Sequence, residues 1–273
     1  MEKNPWNDVA AGWKNWWPVI DKAGKPVSLK LTELSRIKPG DRVLDLATGA
    51  GEPALTAAEA VGEIGQVLGI DASPQMLAFA QTRARNLGLK NVEFREGDMH
   101  VFSCEENQFD AALCRWGLMF VQDLNLFLEK IRKLLKRGGR FAFAVWSTPD
   151  KVPMMSIGME EIQKQYGVIE RPPGFPDPSK LADPASLMKQ LEKAGFKEIK
   201  FERIQVEYEW ESAEDFTLYR KEVAPPFRAL LSGKSEETRK EILDKLTHSA
   251  KKHINKEGKL LLQNESLCFS AGH

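Results

Sequence analysis

The segment Val43–Pro53, which reads VLDLATGAGEP, constrains the fold of this chain more than any other stretch. An apolar run ends in Asp45, glycines follow at positions 49 and 51, and helix-forming residues come next. A strand, a glycine turn and a helix start in this order are typical of a parallel α/β sheet. Glycines let a ligand approach the backbone closely, and the free N–H groups of the helix start point to the same place. The segment therefore predicts a ligand-binding turn at a sheet edge.

Two kinds of ligand compete for this turn. Gly49, Gly51 and Ala54 satisfy the fingerprint of dinucleotide-binding folds, and Asp71 lies at the expected distance of about 20 residues. Asp45 separates the alternatives, because a carboxylate there repels a pyrophosphate and attracts an ammonium group. S-adenosylmethionine carries an ammonium and a sulfonium but no phosphate. We therefore favour it over NAD, and an NAD-dependent oxidoreductase is the weaker alternative.

Strand-like and helix-like segments alternate through the first half of the chain. A connecting helix is predicted at Val27–Ile37. Strands are predicted at Gln66–Asp71, Val92–Glu96 and Phe109–Trp116, with amphipathic helices between them and a helix from Leu124 that ends at Gly138-Gly139. The run RFAFAVW is predicted to form the fifth strand. This alternation predicts a doubly wound, mostly parallel α/β sheet.

The ordered motifs between Val9 and Trp146 resemble class I S-adenosylmethionine-dependent methyltransferases. The likeness is to the small-molecule branch typified by ubiquinone/menaquinone-biosynthesis C-methyltransferases. Ala47 stands where the family motif, acid-x-Gly-x-Gly-x-Gly, has its first glycine. The resemblance implies a seven-stranded Rossmann-like methyltransferase fold with a helical cap, and S-adenosylmethionine as cofactor.

The resemblance also assigns parts of the cofactor to residues. The glycine turn would hold the methionine portion, Asp71 the ribose, Asp98 and Met99 the adenine, and the end of the fourth strand would line the methyl-transfer site. A tryptophan before the first strand would cover the methionine end. The predicted cofactor-binding residues are Trp13, Asp45, Ala47, Thr48, Gly49, Gly51, Asp71, Ala72, Met76, Gly97, Asp98, Met99, Cys114, Arg115 and Trp116.

Several of these residues have a purely structural alternative. Asp71 also suits a turn or helix cap, and Met76 also suits the core. Arg115 also suits an ion pair with an acidic residue, and His100 an exposed loop. Four of the seven tryptophans lie in residues 5–20 at helical spacing. They predict either a lid over the sulfonium or a helix that packs on the core.

Length and composition set further bounds. The 273 residues predict a single methyltransferase domain, with an N-terminal helical lid (1–37), a cofactor-binding core (38–146) and substrate-cap insertions with C-terminal strands (147–273). A proline-rich loop, residues 171–184, is predicted to form a wall of the acceptor pocket. Few, widely spaced cysteines indicate a reducing, cytoplasmic compartment and no metal site.

The expected reaction is methyl transfer to a small-molecule acceptor through an oxygen, carbon or nitrogen nucleophile. No residue is assigned as catalytic, and His100, Arg115 and Tyr166 are the weak candidates. Lysine plus arginine equal aspartate plus glutamate at 39 each, so no nucleic-acid partner is expected, and no apolar run predicts membrane insertion. We expect a monomer or a homodimer. A non-catalytic S-adenosylmethionine-binding regulator is the alternative.

Overall fold

A computed structural model describes residues 4–167 and 176–273 of the chain. The chain divides into two compact units. We call them the sheet unit, which comprises Lys25–Ser147, Pro178–Ile204 and Ser266–His273, and the helical unit, which comprises Met1–Gly24, Thr148–Asp177 and Gln205–Glu265.

The strands form one sheet with the order β3-β2-β1-β4-β5-β7-β6 within the described residues. Strands β1 to β5 pair in parallel, and β7 runs antiparallel to β5. Residues 197–204 of β6 and 266–272 of β7 belong to the sheet unit. The strands are β1 (Arg42–Leu46), β2 (Gln66–Asp71), β3 (Val92–Glu96), β4 (Phe109–Arg115), β5 (Leu135–Trp146), β6 (Lys197–Trp210) and β7 (Leu260–Gly272).

The helices follow the caps that the sequence offers. Ser73 accepts the N–H of Met76 and Asp123 that of Leu126, so both side chains cap helix starts. In chain order the helices are α1 (Ala10–Asn15), α2 (Trp17–Leu34), α3 (Ala54–Val61), α4 (Pro74–Asn86), α5 (Leu124–Leu134), α6 (Pro153–Ser156), α7 (Met159–Tyr166), α8 (Pro184–Lys193), α9 (Ala213–Val223), α10 (Pro225–Leu231) and α11 (Glu236–Lys251).

The core of the sheet unit lies along its central strands. The side chains of Val43, Leu44 and Leu46 in β1 are fully buried, and β4 and β5 are buried over most of their length. Strands with both faces covered are expected in a parallel sheet with helices on both sides. Of the buried charged groups, Asp45 and Arg115 lie near the carboxyl ends of β1 and β4, where the candidate site lies.

The helical unit is held by contacts between residues distant in sequence. The indole N–H of Trp13 donates to the Val223 carbonyl at 3.1 Å, and that of Trp16 donates to the Glu222 carboxylate at 2.8 Å. Trp16 also meets Tyr219 edge-to-face. The N-terminal tryptophans thus pack on α9 within this unit.

Two helix boundaries differ from the prediction. Helix α5 ends at Leu134, and β5 begins at Leu135, because Leu135 already pairs with Phe109 of β4. Gly138-Gly139 lies inside β5, in a bulge where the register shifts between Phe109 and Ala111 of β4. The helix predicted for Val27–Ile37 is α2, which begins earlier, at Trp17, and ends earlier, at Leu34.

The fold class is the one predicted, a mostly parallel seven-stranded α/β sheet in the described residues. The division into lid, core and cap segments stays a prediction. Residues 171–175 of the predicted loop wall lie outside the described residues. No helix in the described part of the chain is long and apolar enough to cross a membrane.

Candidate functional site

The carboxyl ends of β1, β2 and β3 are joined by hydrogen bonds around Asp71. The N–H of Gly49 donates to Asp71 Oδ2 at 2.8 Å, and the N–H of Gly97 donates to the Asp71 carbonyl at 2.9 Å. The N–H of Thr48 donates to the carbonyl of Ile70 at 2.9 Å. The three strand ends therefore form one edge, as expected where ligands bind in open α/β sheets.

The turn after β1 has an unusual backbone. Gly51 has φ +98°, and a Cβ there would lie 3.1 Å from the Ala80 Cβ and from Leu55, so glycine meets both a conformational and a packing requirement. Ala47 has φ +54°, a conformation that costs a residue with a Cβ about 1–2 kcal/mol. A Cβ on Gly117 would lie 2.7 Å from the Ala47 Cβ, so the segment after β4 lies against this turn.

Asp45 is fully buried at the end of β1. Its Oδ2 accepts the N–H of Ala54 at the start of α3, at 3.0 Å. Its Oδ1 and the Thr48 hydroxyl are both buried and have no hydrogen-bond partner in residues 4–167 and 176–273. Burial raises the pKa of the Asp45 carboxyl to about 7, against the lowering by the nearby Thr48 hydroxyl, the Ala54 N–H and the Arg115 charge. Such unpaired buried polar atoms indicate a missing polar partner.

Asp71 uses both carboxylate oxygens on backbone amides. Oδ2 accepts from Gly49, and Oδ1 accepts the N–H of Ser73 at 2.9 Å. Burial raises the pKa of Asp71, and these N–H groups oppose that rise. The turn-capping alternative is thus realised, while each oxygen retains a lone pair for a further donor. The ribose role stays a prediction.

The segment after β3 presents Asp98 together with His100. Asp98 Oδ1 accepts the N–H of His100 at 2.9 Å and contacts its Nδ1 at 2.6 Å. Partial burial acts to raise the pKa of Asp98, but the bonds from His100 outweigh it and hold this pKa below its usual value. Met99 is buried, and its carbonyl accepts from Lys130 at 3.3 Å. Asp98 remains exposed enough to reach a ligand.

The end of β4 contributes Cys114, Arg115 and Trp116. Arg115 donates to the Ser28 hydroxyl at 2.9 Å, and its guanidinium carbon lies 5.0 Å from the Trp116 ring centre. Trp116 stacks on Trp146 with ring centres 4.3 Å apart. Cys114 is fully buried and burial raises its thiol pKa far above the usual value, so it is not a thiolate.

The sequence prediction missed a buried ion pair beneath the turn. Glu52 is 3% exposed, pairs with Arg83 at 3.2 Å and accepts the Thr56 hydroxyl at 2.6 Å. Arg83 also donates to the Ala50 carbonyl at 2.7 Å. The pair ties the turn to α4. The sequence does show a glutamate inside the glycine motif, but it does not show the partner of that glutamate, because Arg83 lies 31 residues away.

The remaining predicted residues divide into two groups. Ala72 is exposed and Met76 is 3% exposed, both beside Asp71 at the start of α4. Trp13 and Tyr166 belong to the helical unit. The Tyr166 hydroxyl is hydrogen-bonded to Glu241, which raises the pKa of Tyr166 to about 12. A role for either residue at the cofactor stays a prediction.

Two surface depressions of the sheet unit lie elsewhere. One of about 470 Å³ is lined by residues of α2, of α3 and of the segment after α2, including Glu33, Arg36 and Glu59. Another of about 250 Å³ includes Cys104 and Lys130. In the described residues no group of three or more His, Cys, Asp or Glu side chains is placed to hold a metal ion.

The sequence matches a family model described as a methyltransferase domain over residues 37–195, more than half of the chain. It is 37% identical over 134 residues to a 2-phytyl-1,4-naphtoquinone methyltransferase of Synechococcus elongatus, which covers 46% of this chain and 58% of that protein. It is 31% identical over 176 residues to a demethylmenaquinone methyltransferase of Bacillus cytotoxicus, covering 62% of this chain and 73% of that protein. The chain spans about half the length of most curated relatives that it matches.

The fold is similar to that of solved structures. One is phosphoethanolamine N-methyltransferase 2 of Haemonchus contortus in complex with phosphomonomethylethanolamine and S-adenosylhomocysteine. The TM-score is 0.56 at 21% identity, and the match covers 91% of this chain and 53% of that one. At this identity the likeness concerns the fold.

Proposed function

Because the chain belongs to the class I S-adenosylmethionine-dependent methyltransferases, we propose that it transfers a methyl group from S-adenosylmethionine to a small-molecule acceptor. The family and its cofactor are those that the resemblance predicts. The observation that carries the proposal is the buried Asp45 Oδ1, an unpartnered acceptor at the glycine turn. A cationic amino group is the ligand group that such an acceptor requires.

The residues at the sheet edge fit this cofactor. Asp45 and the Thr48 hydroxyl would hold the amino-acid portion, where NAD would present a pyrophosphate instead. Asp71 would accept ribose hydroxyls, and Asp98 and Met99 would hold the adenine. Bound S-adenosylmethionine supplies a methyl group activated on a sulfonium. Arg115 and Trp116, at the end of β4, would border the place where the acceptor approaches.

The chain's own contribution would be alignment and the exclusion of water, since the donor is already activated. A general base is needed only for an acceptor that must lose a proton. Of the three candidates, Arg115 carries a guanidinium that only donates hydrogen bonds, so it is unsuited to accept a proton. Tyr166, hydrogen-bonded to Glu241, is a poor base at neutral pH. His100, held by Asp98, would be the base if one is used.

The names of the curated relatives suggest a quinone-type aromatic acceptor. We therefore propose a demethylated naphthoquinol as the first acceptor to test, with carbon as the nucleophile. We also propose a cytoplasmic location, supported by Cys104, Cys114 and Cys268, none of which is in a disulfide. A regulator that binds the cofactor without turnover is the second candidate.

The test is calorimetry on the full chain, followed by an assay of product formation. We expect binding of S-adenosylmethionine and S-adenosylhomocysteine, and no comparable binding of NAD. Asp71→Ala should weaken cofactor binding at least about tenfold, because hydrogen bonds to a charged group contribute about 1.5–3 kcal/mol each. Asp71→Asn, which keeps one acceptor oxygen, should lose less.

The exposed Asp244→Ala is the matched control and should bind as the natural chain does. Preferential binding of NAD would refute the assignment of the site. Cofactor binding without a methylated product from any quinol would favour the regulator. Unchanged affinity in Asp71→Ala would leave Asp71 as a turn cap only.

A further inference from the structure

Arg220 of α9 is a half-buried cation without an anion in the described residues. Its Nε is buried and has no hydrogen-bond partner in residues 4–167 and 176–273. Its Nη1 donates to the Met154 carbonyl at 2.6 Å, which is a neutral acceptor. Within the same described ranges, no carboxylate forms an ion pair with it. Buried charges in proteins are normally paired, so this arrangement requires an explanation.

The edge of Arg220 formed by Nε and Nη2 meets no oxygen acceptor in the described residues. Nη2 faces the Met159 sulfur at 4.0 Å, a weak acceptor. This edge of a guanidinium is one that binds a carboxylate or phosphate through two parallel hydrogen bonds. Methionine is flexible and adapts its shape readily, so an anion could replace its sulfur at this edge.

The other neighbours of Arg220 leave its charge uncompensated. The guanidinium carbon lies 5.5 Å from the ring centre of Phe227, which attracts a cation but carries no charge. Burial lowers the pKa of Arg220 to about 10, partly offset by Tyr219, so the group stays protonated at neutral pH. A full positive charge is therefore held among a carbonyl, a thioether and an aromatic ring.

We propose that Arg220 is the anion-binding residue of a ligand site in the helical unit, and that the ligand carries a carboxylate or a phosphate. Its two oxygens would accept from Nε and Nη2, while Nη1 stays on the Met154 carbonyl. The site lies outside the sheet-edge residues assigned to the cofactor, and its existence does not depend on methyl transfer.

The experiment measures anion binding to the full chain without S-adenosylmethionine. Benzoate tests for a carboxylate ligand, and inorganic phosphate tests for a phosphate ligand. Each is compared with chloride at equal ionic strength by thermal shift and calorimetry. We expect one of the two to raise the melting temperature above the chloride reference. Arg220→Met should then raise its dissociation constant at least about tenfold, and Arg220→Lys should lose less because the charge remains.

Arg228→Met is the matched control, because Arg228 is an exposed arginine of the same unit. It should bind the anion as the natural chain does, and circular dichroism should show that the variants are folded. If Arg220→Met does not fold, Arg220→Lys and the natural chain carry the test. The proposal is overturned if neither anion stabilises the natural chain beyond chloride, or if Arg228→Met weakens binding as much as the Arg220 variants do.

Discussion

The two units each contain a charged side chain with an unpartnered buried atom, an acidic one at the turn after β1 of the sheet unit and a basic one in α9 of the helical unit. In the sheet unit, Asp45 and Glu52 are 0% and 3% exposed at the turn after β1. In the helical unit, the guanidinium of Arg220 has a buried Nε that meets no acceptor in the described part of the chain. Glu52 has its counter-ion in Arg83, while Asp45 Oδ1 and Arg220 Nε do not have theirs.

If both proposals hold, the sign of each unpartnered charge matches the sign of its ligand. Asp45 would select an ammonium group, and Arg220 would select an oxyanion. A second difference is how far apart in the sequence the contacting residues lie. The turn after β1 is built mostly from residues within one βαβ unit, whereas Trp13 and Val223 are 210 residues apart.

The largest expected effect concerns the buried acid of the sheet unit. Burial raises the pKa of Asp45 from 3.8 to about 7, so between these pH values the folded protein holds a proton that the unfolded chain has released. The free energy of unfolding should therefore fall as pH rises from about 4 to about 7, by at most about 4 kcal/mol. Asp45→Asn has no carboxyl proton to lose, so its free energy of unfolding should decrease less over this pH range.

Urea unfolding of the cofactor-free protein at several pH values measures the effect. The exposed Asp244→Asn is the control and should keep the slope of the natural chain. If the free energy of unfolding of Asp45→Asn depends on pH as that of the natural chain does, Asp45 ionises normally. The sheet unit would then contain no acid with an unusual pKa at this turn.

A smaller effect is expected from Gly12 in α1, which tests the close packing of the helical unit. A Cβ at this position would lie 2.4 Å from the Glu222 carbonyl oxygen. Gly→Ala inside a helix ordinarily stabilises by about 1 kcal/mol, but this clash should reverse the sign and cost about 1–3 kcal/mol. Thermal unfolding measures this change in stability. Ala11→Gly, on the exposed side of α1, measures the difference in helix propensity between alanine and glycine in the same helix. A stabilised Gly12→Ala would mean that α1 and α9 are not in close contact.

The smallest effect concerns the strained backbone of the sheet unit. Ala47 has φ +54°, so Ala47→Gly should relieve strain and stabilise the protein by about 1 kcal/mol. Ala50 lies in the same turn without a positive φ, and Ala50→Gly should destabilise instead. Denaturant unfolding of the pair measures both. Destabilisation by Ala47→Gly would indicate that the Ala47 methyl contributes more by packing than it costs in strain.

The parts of the fold that follow from local patterns were predictable. Strands β1 to β3 agree with the sequence pattern because each depends on neighbouring residues. The start of β5 was not predictable, since Gly138-Gly139 normally ends a helix and only the pairing of Leu135 with Phe109 makes it a bulge.

The candidate site was predictable to a similar extent. Topology brings Asp45, Asp71 and Asp98 to one edge, because parallel strands end on the same side of the sheet. The Glu52–Arg83 pair and the partners of Trp13 and Arg220 could not be predicted. Each depends on side chains that meet through tertiary packing, which no local pattern in the sequence records.

The position of β7 has a consequence for how the protein is made. β7 lies between β5 and β6 in the sheet, yet it is synthesised after both of them. While the ribosome adds the residues between Trp146 and Leu260, which takes several seconds at about 5–20 residues per second, β5 has an open edge. An open edge is a template for pairing with other chains. We therefore expect the nascent chain to depend on chaperones until its last strand emerges.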